Sequence, residues 1–115
     1  MRYAMLICVE EKLSHAMTPD EGAAMSATYA AFMEEMGQRG VIEGGERLRD
    51  VSDATTVRVR DGEVLTSDGP FAETKEQIGG YFIVNCKDLD EAVEIASKIP
   101  GAGHGSIEVR PIWEM

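Results

Sequence analysis

An α+β fold, with two helices packed on one face of a mainly antiparallel sheet, follows from three features of the sequence. Two helix starts carry full capping signals, at Thr18-Pro19-Asp20-Glu21 and at Asp88-Leu89-Asp90-Glu91. An Asp61-Gly62 pair lies between two alternating runs, the pattern of a tight hairpin. Two short runs, Arg2–Val9 and Gly80–Cys86, are apolar on both of their alternating faces, which marks strands covered from both sides.

In chain order, Arg2–Val9 places Tyr3, Met5, Ile7 and Val9 on one side and Ala4, Leu6 and Cys8 on the other. A polar loop follows. Thr18 then caps a helix, Pro19 takes its first position, and Glu21 stands where it can return a bond to the cap. Met25, Tyr29, Phe32, Met33 and Met36 recur at helical spacing and form one apolar stripe. Arg39 suits the negative end of the helix dipole, and Gly40 supplies a left-handed stop. Val41–Leu48 reads as a strand interrupted by Gly44-Gly45, where a bulge or bend is expected. Thr55–Arg60 and Glu63–Thr66 are the two arms of the hairpin. In Gly80–Cys86, Phe82, Val84 and Cys86 oppose Tyr81 and Ile83. The second helix is expected to bury Leu89, Ala92, Val93, Ala96 and Ile99 before Pro100-Gly101 ends it. A small-residue loop, Gly101–Gly105, leads to a last strand, Ser106–Trp113.

The order is β-α-β, a β-hairpin, then β-α-β. Right-handed crossovers leave few ways to wind it, and the expected plan is ferredoxin-like, with the two doubly apolar strands in the centre. Two helices cover only one sheet face. Each large apolar side chain left in water on the other face would forgo about 1.5–3 kcal/mol. A second copy packed sheet to sheet would cover them, so a homodimer with a barrel-like core, a dimeric α+β barrel, is expected.

The 115 residues make one domain, 1–115, large enough to fold without staples. The 43% hydrophobic and 28% charged residues are those of a soluble globular chain. The formal net charge is −10, from 21 acids against 11 bases, which argues against nucleic acid and against an anionic membrane surface. Met5–Val9 is too short to span a bilayer and lacks a signal-peptide cleavage site, so a cytoplasmic location is expected. The two cysteines, Cys8 and Cys86, lie in apolar runs and read as reduced core thiols. A disulfide would need the two strands to be neighbours.

The densest cluster of special residues is Asp68-Gly69-Pro70-Phe71-Ala72-Glu73-Thr74-Lys75-Glu76, running into Gly79-Gly80-Tyr81-Phe82. Long connections of this kind in a compact domain tend to be functional. This stretch resembles the signature of the DGPF proteins, members of the YCII-related superfamily. Gly44-Gly45-Glu46, Ala54-Thr55-Thr56-Val57-Arg58 and Ile107-Glu108-Val109-Arg110-Pro111 match in order, so the similarity covers nearly the whole chain. The resemblance implies the dimeric α+β barrel. It also implies a loosely defined biochemistry: small-molecule enzymes using a His–Asp pair in some relatives, and association with extracytoplasmic-function sigma factors in the DGPF branch. The YCII pattern places a histidine on the first helix. Ser26–Met36 contains none, so a histidine acting here must come from elsewhere.

Five residues stand out as candidates. Asp68 reads either as a general base, or as an Asx-turn that caps backbone N–H groups ahead of Gly69-Pro70. His104, between glycines just before the last strand, is its candidate acid–base partner or else an ordinary loop histidine. His15 reads as surface. Glu108 and Arg110 share one face of the last strand and form either a polar pocket, with Arg110 clamping an anion, or a structural ion pair. Lys75, beside Glu73 and Glu76, either closes a lid over such a pocket or belongs to a solvated loop. No metal-ligand spacing, phosphate-binding glycine loop or serine elbow is present, and no metal or cofactor is expected. The leading expectation is a dimer with a polar cleft near the Asp68–Glu76 loop. It would bind a small organic acid, with proton transfer, isomerisation or elimination as possible chemistry. The alternatives are a non-catalytic interaction module serving a sigma factor, and a purely structural dimer.

Overall fold

The computed structural model describes residues 1–115. Nine elements follow in chain order: β1 (Arg2–Val9), α1 (Glu11–His15), α2 (Pro19–Arg39), β2 (Ile42–Arg47), β3 (Thr55–Arg60), β4 (Glu63–Asp68), β5 (Gln77–Asn85), α3 (Leu89–Lys98) and β6 (Ser106–Pro111). Short 3-10 turns at Val51–Asp53 and Pro100–Gly103 complete the chain. The sheet runs β2-β5-β1-β6, antiparallel throughout, and β3 and β4 pair only with each other. This is the ferredoxin-like plan with a hairpin inserted between its halves, and the two doubly apolar strands are central as expected.

Local signals behave as their chemistry dictates. Glu21 N–H donates to Thr18 Oγ1 and Thr18 N–H donates to Glu21 Oε1, each at 3.1 Å, which closes the capping box. Gly40 ends α2 in the left-handed conformation at φ 67°. Asp61 (φ 51°) and Gly62 (φ 77°) make the hairpin turn with positive φ at both central positions. At α3, Glu91 N–H donates to Asp88 Oδ1 at 2.9 Å, but the Glu91 carboxylate takes the N–H of Lys87 rather than that of the cap. The β2 irregularity falls between Ile42 and Gly44, at the start of the glycine pair.

One core holds the layers together. Tyr3, Met5 and Ile7 of β1 and Val84 of β5 meet Phe32 and Met36 of α2 and Ala92, Ile95 and Ala96 of α3. Phe32 stacks at a tilt on Phe82, with ring centroids 5.5 Å apart. Outside the core, the Arg39 guanidinium reaches Glu94 at 2.9 Å and Glu91 at 3.3 Å, and Lys98 reaches Glu35 at 3.0 Å. These pairs tie the end of α2 to α3.

Several expectations are corrected. The polar segment after β1 contains the helix α1, because Glu11 and His15 are anchored to a distant loop described below. Leu89 and Val93 are exposed, and Ile95 is buried in their place. The sheet meets α3 through the line Ala92–Ala96–Ile99 with Ile95 beside it, so the first turn overhangs the core. Met33 lies on the exposed edge of the α2 stripe. The last strand ends at Pro111, Ile112 N–H still donates to Arg2 O at 2.9 Å, and Trp113 beyond it is exposed. Conversely, β4 extends to Asp68 and β5 begins at Gln77, so only residues 69–76 of the connection lie outside strands.

β1 and β5 are neighbours, yet their register puts Arg2 opposite Asn85 and Cys8 opposite Ile78. Cys86 therefore lies at the opposite end of β1 from Cys8, about 23 Å of strand away. Both thiols are free, and burial pushes both up from the usual thiol range.

Candidate functional site

The loop after β4 is pinned at both ends. Thr56 Oγ1 donates to Gly69 O at 2.8 Å and Gly69 N–H donates to Ala54 O at 2.7 Å, which holds the start against β3. At the other end Gln77 Nε2 donates to the carbonyls of Ala72 and Thr74, both at 3.1 Å, and Ser106 Oγ donates to Glu76 Oε1 at 2.9 Å. The turn itself is made by Gly69 at φ 92°, a conformation that a side chain rarely tolerates. Asp68 pairs with Thr55 as the last residue of β4, and its carboxylate caps no backbone N–H. The Asx-turn reading of Asp68 is therefore not realised, because the glycine does the turning.

Facing this loop is α1. Its two ends are fastened to the segment between β2 and β3. Val51 N–H donates to both oxygens of Glu11, at 3.1 and 3.2 Å, and His15 Nε2 lies 2.8 Å from Asp50 Oδ2. Between α1 and the loop lies a cleft of about 510 Å³. Glu10, Glu11, Lys12 and His15 form one wall, Pro70, Glu73, Thr74 and Lys75 the other, and Val51 and Gln77 close the rest. Lys75 Nζ lies 4.0 Å from Glu10 Oε2, so the two walls meet across an exposed ion pair. Eight of the ten lining residues are polar or charged, three carboxylates against two lysines, and it is largely their aliphatic stems that face the cleft.

Of the five candidate residues, Asp68, His104, Glu108, Arg110 and Lys75, only Lys75 lines this cleft. His104 is exposed at the end of the Pro100–Gly103 turn, and its side chain has no hydrogen-bond or ionic partner. The Asp68 side chain is likewise exposed and unpartnered. Glu108 and Arg110 are ion-paired to each other on the sheet face away from the helices, where they stand beside Leu6 and Ala4. The cleft histidine is His15, which the sequence leaves among surface residues. The Glu11-x-x-x-His15 spacing was the available signal, since it puts both side chains on one face if the segment is helical. Asp50 carries no such signal, being 35 residues further on.

A model of the YCII-related domain matches residues 1–115. The chain belongs to this family. An uncharacterized protein, R00369, of Rhizobium meliloti (strain 1021) is 35% identical over 114 residues, covering 97% of this chain and 92% of the relative. No helix is long and apolar enough to cross a membrane.

Proposed function

We propose that this YCII-related protein is a cytoplasmic homodimer that binds a small polar organic molecule, an organic acid being the leading class, in the cleft between α1 and the 69–76 loop. The observation that carries the reading is the cleft itself. It is open, framed by polar and charged residues whose stems line it, and walled by a loop fixed at both ends, with Lys75 as the ligand-facing cation and His15 beside Asp50 as the proton-transfer pair.

The dimer rests on surface left uncovered. Only 14 of 115 residues are buried, and the chain is a slab of 48 × 44 × 18 Å. Its radius of gyration is 16.1 Å, against about 13 Å for a compact chain of this length. Ala4, Leu6, Tyr81 and Ile83 lie together on the sheet face opposite the helices. Val57, Val59 and Val64 line one face of a hairpin that pairs with nothing else in the chain, and an isolated hairpin is marginal in water. A second copy packed on the open face would cover both.

Asp68 and His104 form a second reading as the acid–base pair, with Arg110 as anion clamp. It is favoured by one observation: both side chains are exposed and carry no partner, so both are available to a substrate. Within one protomer they do not share the cleft. Two measurements test the proposal. Light scattering should give twice the 12.5 kDa chain mass, and Leu6→Glu should halve it. A thermal-shift screen of small carboxylic and hydroxy acids should find a ligand whose effect His15→Ala and Lys75→Ala abolish. A ligand lost instead with His104→Ala or Asp68→Asn selects the second reading. A monomer that no acid stabilises would leave neither standing.

A further inference from the structure

We infer that Glu11, His15 and Asp50 form a binding site for a divalent transition-metal ion at the rim of the cleft. Glu11 and His15 are one turn apart on α1, and Asp50 comes from the β2–β3 connection, so the fold alone brings them together. One ligand atom from each lies within 4.8 Å of the others. Ligand atoms about 2.1 Å from a common ion stand roughly 3–4 Å apart, so closure asks for a movement of about 1 Å. Exposed side chains make such a movement at little cost. His15 and Asp50 are 60% and 54% exposed, and their present 2.8 Å contact keeps imidazole nitrogen and carboxylate oxygen side by side, where an ion would replace the proton they share.

The chemistry of the three groups selects the class of ion. One imidazole with two carboxylates suits zinc, manganese or iron(II) better than calcium or magnesium, which take oxygen ligands only. Three protein ligands leave coordination positions open, as in sites that hold water or a substrate. The Val51 N–H, donating to Glu11, supplies the outer-shell bond that orients a metal-binding carboxylate. Neutral histidine and two carboxylates sum to −2, which a divalent ion cancels.

This assignment rests on the cleft reading and changes one role in it: a metal-bound His15 and Asp50 would hold the ion rather than transfer a proton, and the ion is what the cleft's ligand would meet. Glu10, Glu11 and Glu73 outnumber Lys12 and Lys75 along the walls, a field that repels an organic acid. With Asp50 counted the excess is two negative charges, which a divalent ion at the rim cancels while it offers open positions to carboxylate or hydroxyl oxygens.

The test uses the metal alone, so its result does not depend on whether any acid binds. Calorimetric titration of the tag-free, chelator-stripped chain with Zn²⁺ should show one ion per chain at micromolar concentration. His15→Ala and Asp50→Asn should each weaken it by about tenfold or more, and His104→Ala should leave it unchanged. Independently of any variant, Zn²⁺ should shift the imidazole resonances of His15 and not those of His104. Absence of stoichiometric binding, or binding that survives loss of His15 and Asp50, overturns the assignment. If zinc binds but no acid does, with or without it, the cleft reading fails and the metal site stands.

Discussion

Gly45 gives the sharpest test of how the sheet is packed. It sits in β2 opposite Phe82 of β5, facing the helices. A Cβ added there would lie 2.6 Å from Phe82 Cδ1 and 2.6 Å from the carbonyl oxygen of Tyr81. The ring can swing, but the carbonyl belongs to the ladder of a central strand. It must retreat by about 0.8 Å to reach ordinary contact, which disturbs the β2–β5 hydrogen bonds. Overpacking of this kind costs about 1–3 kcal/mol. Alanine also returns about 0.4–1 kcal/mol by restricting the unfolded chain, so Gly45→Ala should lose about 1–2 kcal/mol net. Gly37 is the control. It lies within α2 with nothing inside 4 Å of an added Cβ, so Gly37→Ala should gain about 0.5–1 kcal/mol. Urea unfolding at one fixed protein concentration measures both, which holds any effect of self-association equal between the variants. Equal stability of Gly45→Ala and the parent would refute the close approach of β2 and β5.

Two further outcomes follow from single side chains. The Arg39 guanidinium, followed by Lys98, holds the Glu94 carboxyl down to about 2 from an ordinary 4.5. A depressed carboxylate stabilises fully above its unfolded pKa, and this is lost as pH falls through the folded value. The deficit in melting temperature of Glu94→Gln should therefore be constant above about pH 5 and shrink toward zero as the pH falls to about 2. A pH-independent deficit would disprove the pairing. Asp68→Asn should change unfolding free energy by no more than about 0.5 kcal/mol, since the carboxylate holds no backbone group. A loss of about 1 kcal/mol, the worth of a lost cap, would restore the turn role.

What could be read from the sequence was what local chemistry decides. The Thr18–Glu21 box, the Gly40 stop and the Asp61-Gly62 turn act over a few residues, and all three are found where the residue types put them. The doubly apolar runs also placed β1 and β5 at the sheet centre, where a strand is flanked by strands on both edges and packs its Tyr3, Met5 and Val84 under the helices. The α3 face was half legible. Periodicity selects a stripe, but the sheet it packs on decides that Ile95 rather than Leu89 or Val93 is covered.

The candidate site belongs almost wholly to tertiary structure. Asp68, His104 and Arg110 stood out because they are chemically conspicuous neighbours of glycines or of a strand end, yet being conspicuous in sequence does not bring side chains to one point. His15, Glu11 and Asp50 look ordinary in the sequence and meet because α1 folds back against a segment 35 residues later. Residue types and short spacings determined the elements, their order and the family to which the chain belongs. The cleft, its histidine and the carboxylates around it were decided by long-range packing, which no pattern shorter than the fold can encode.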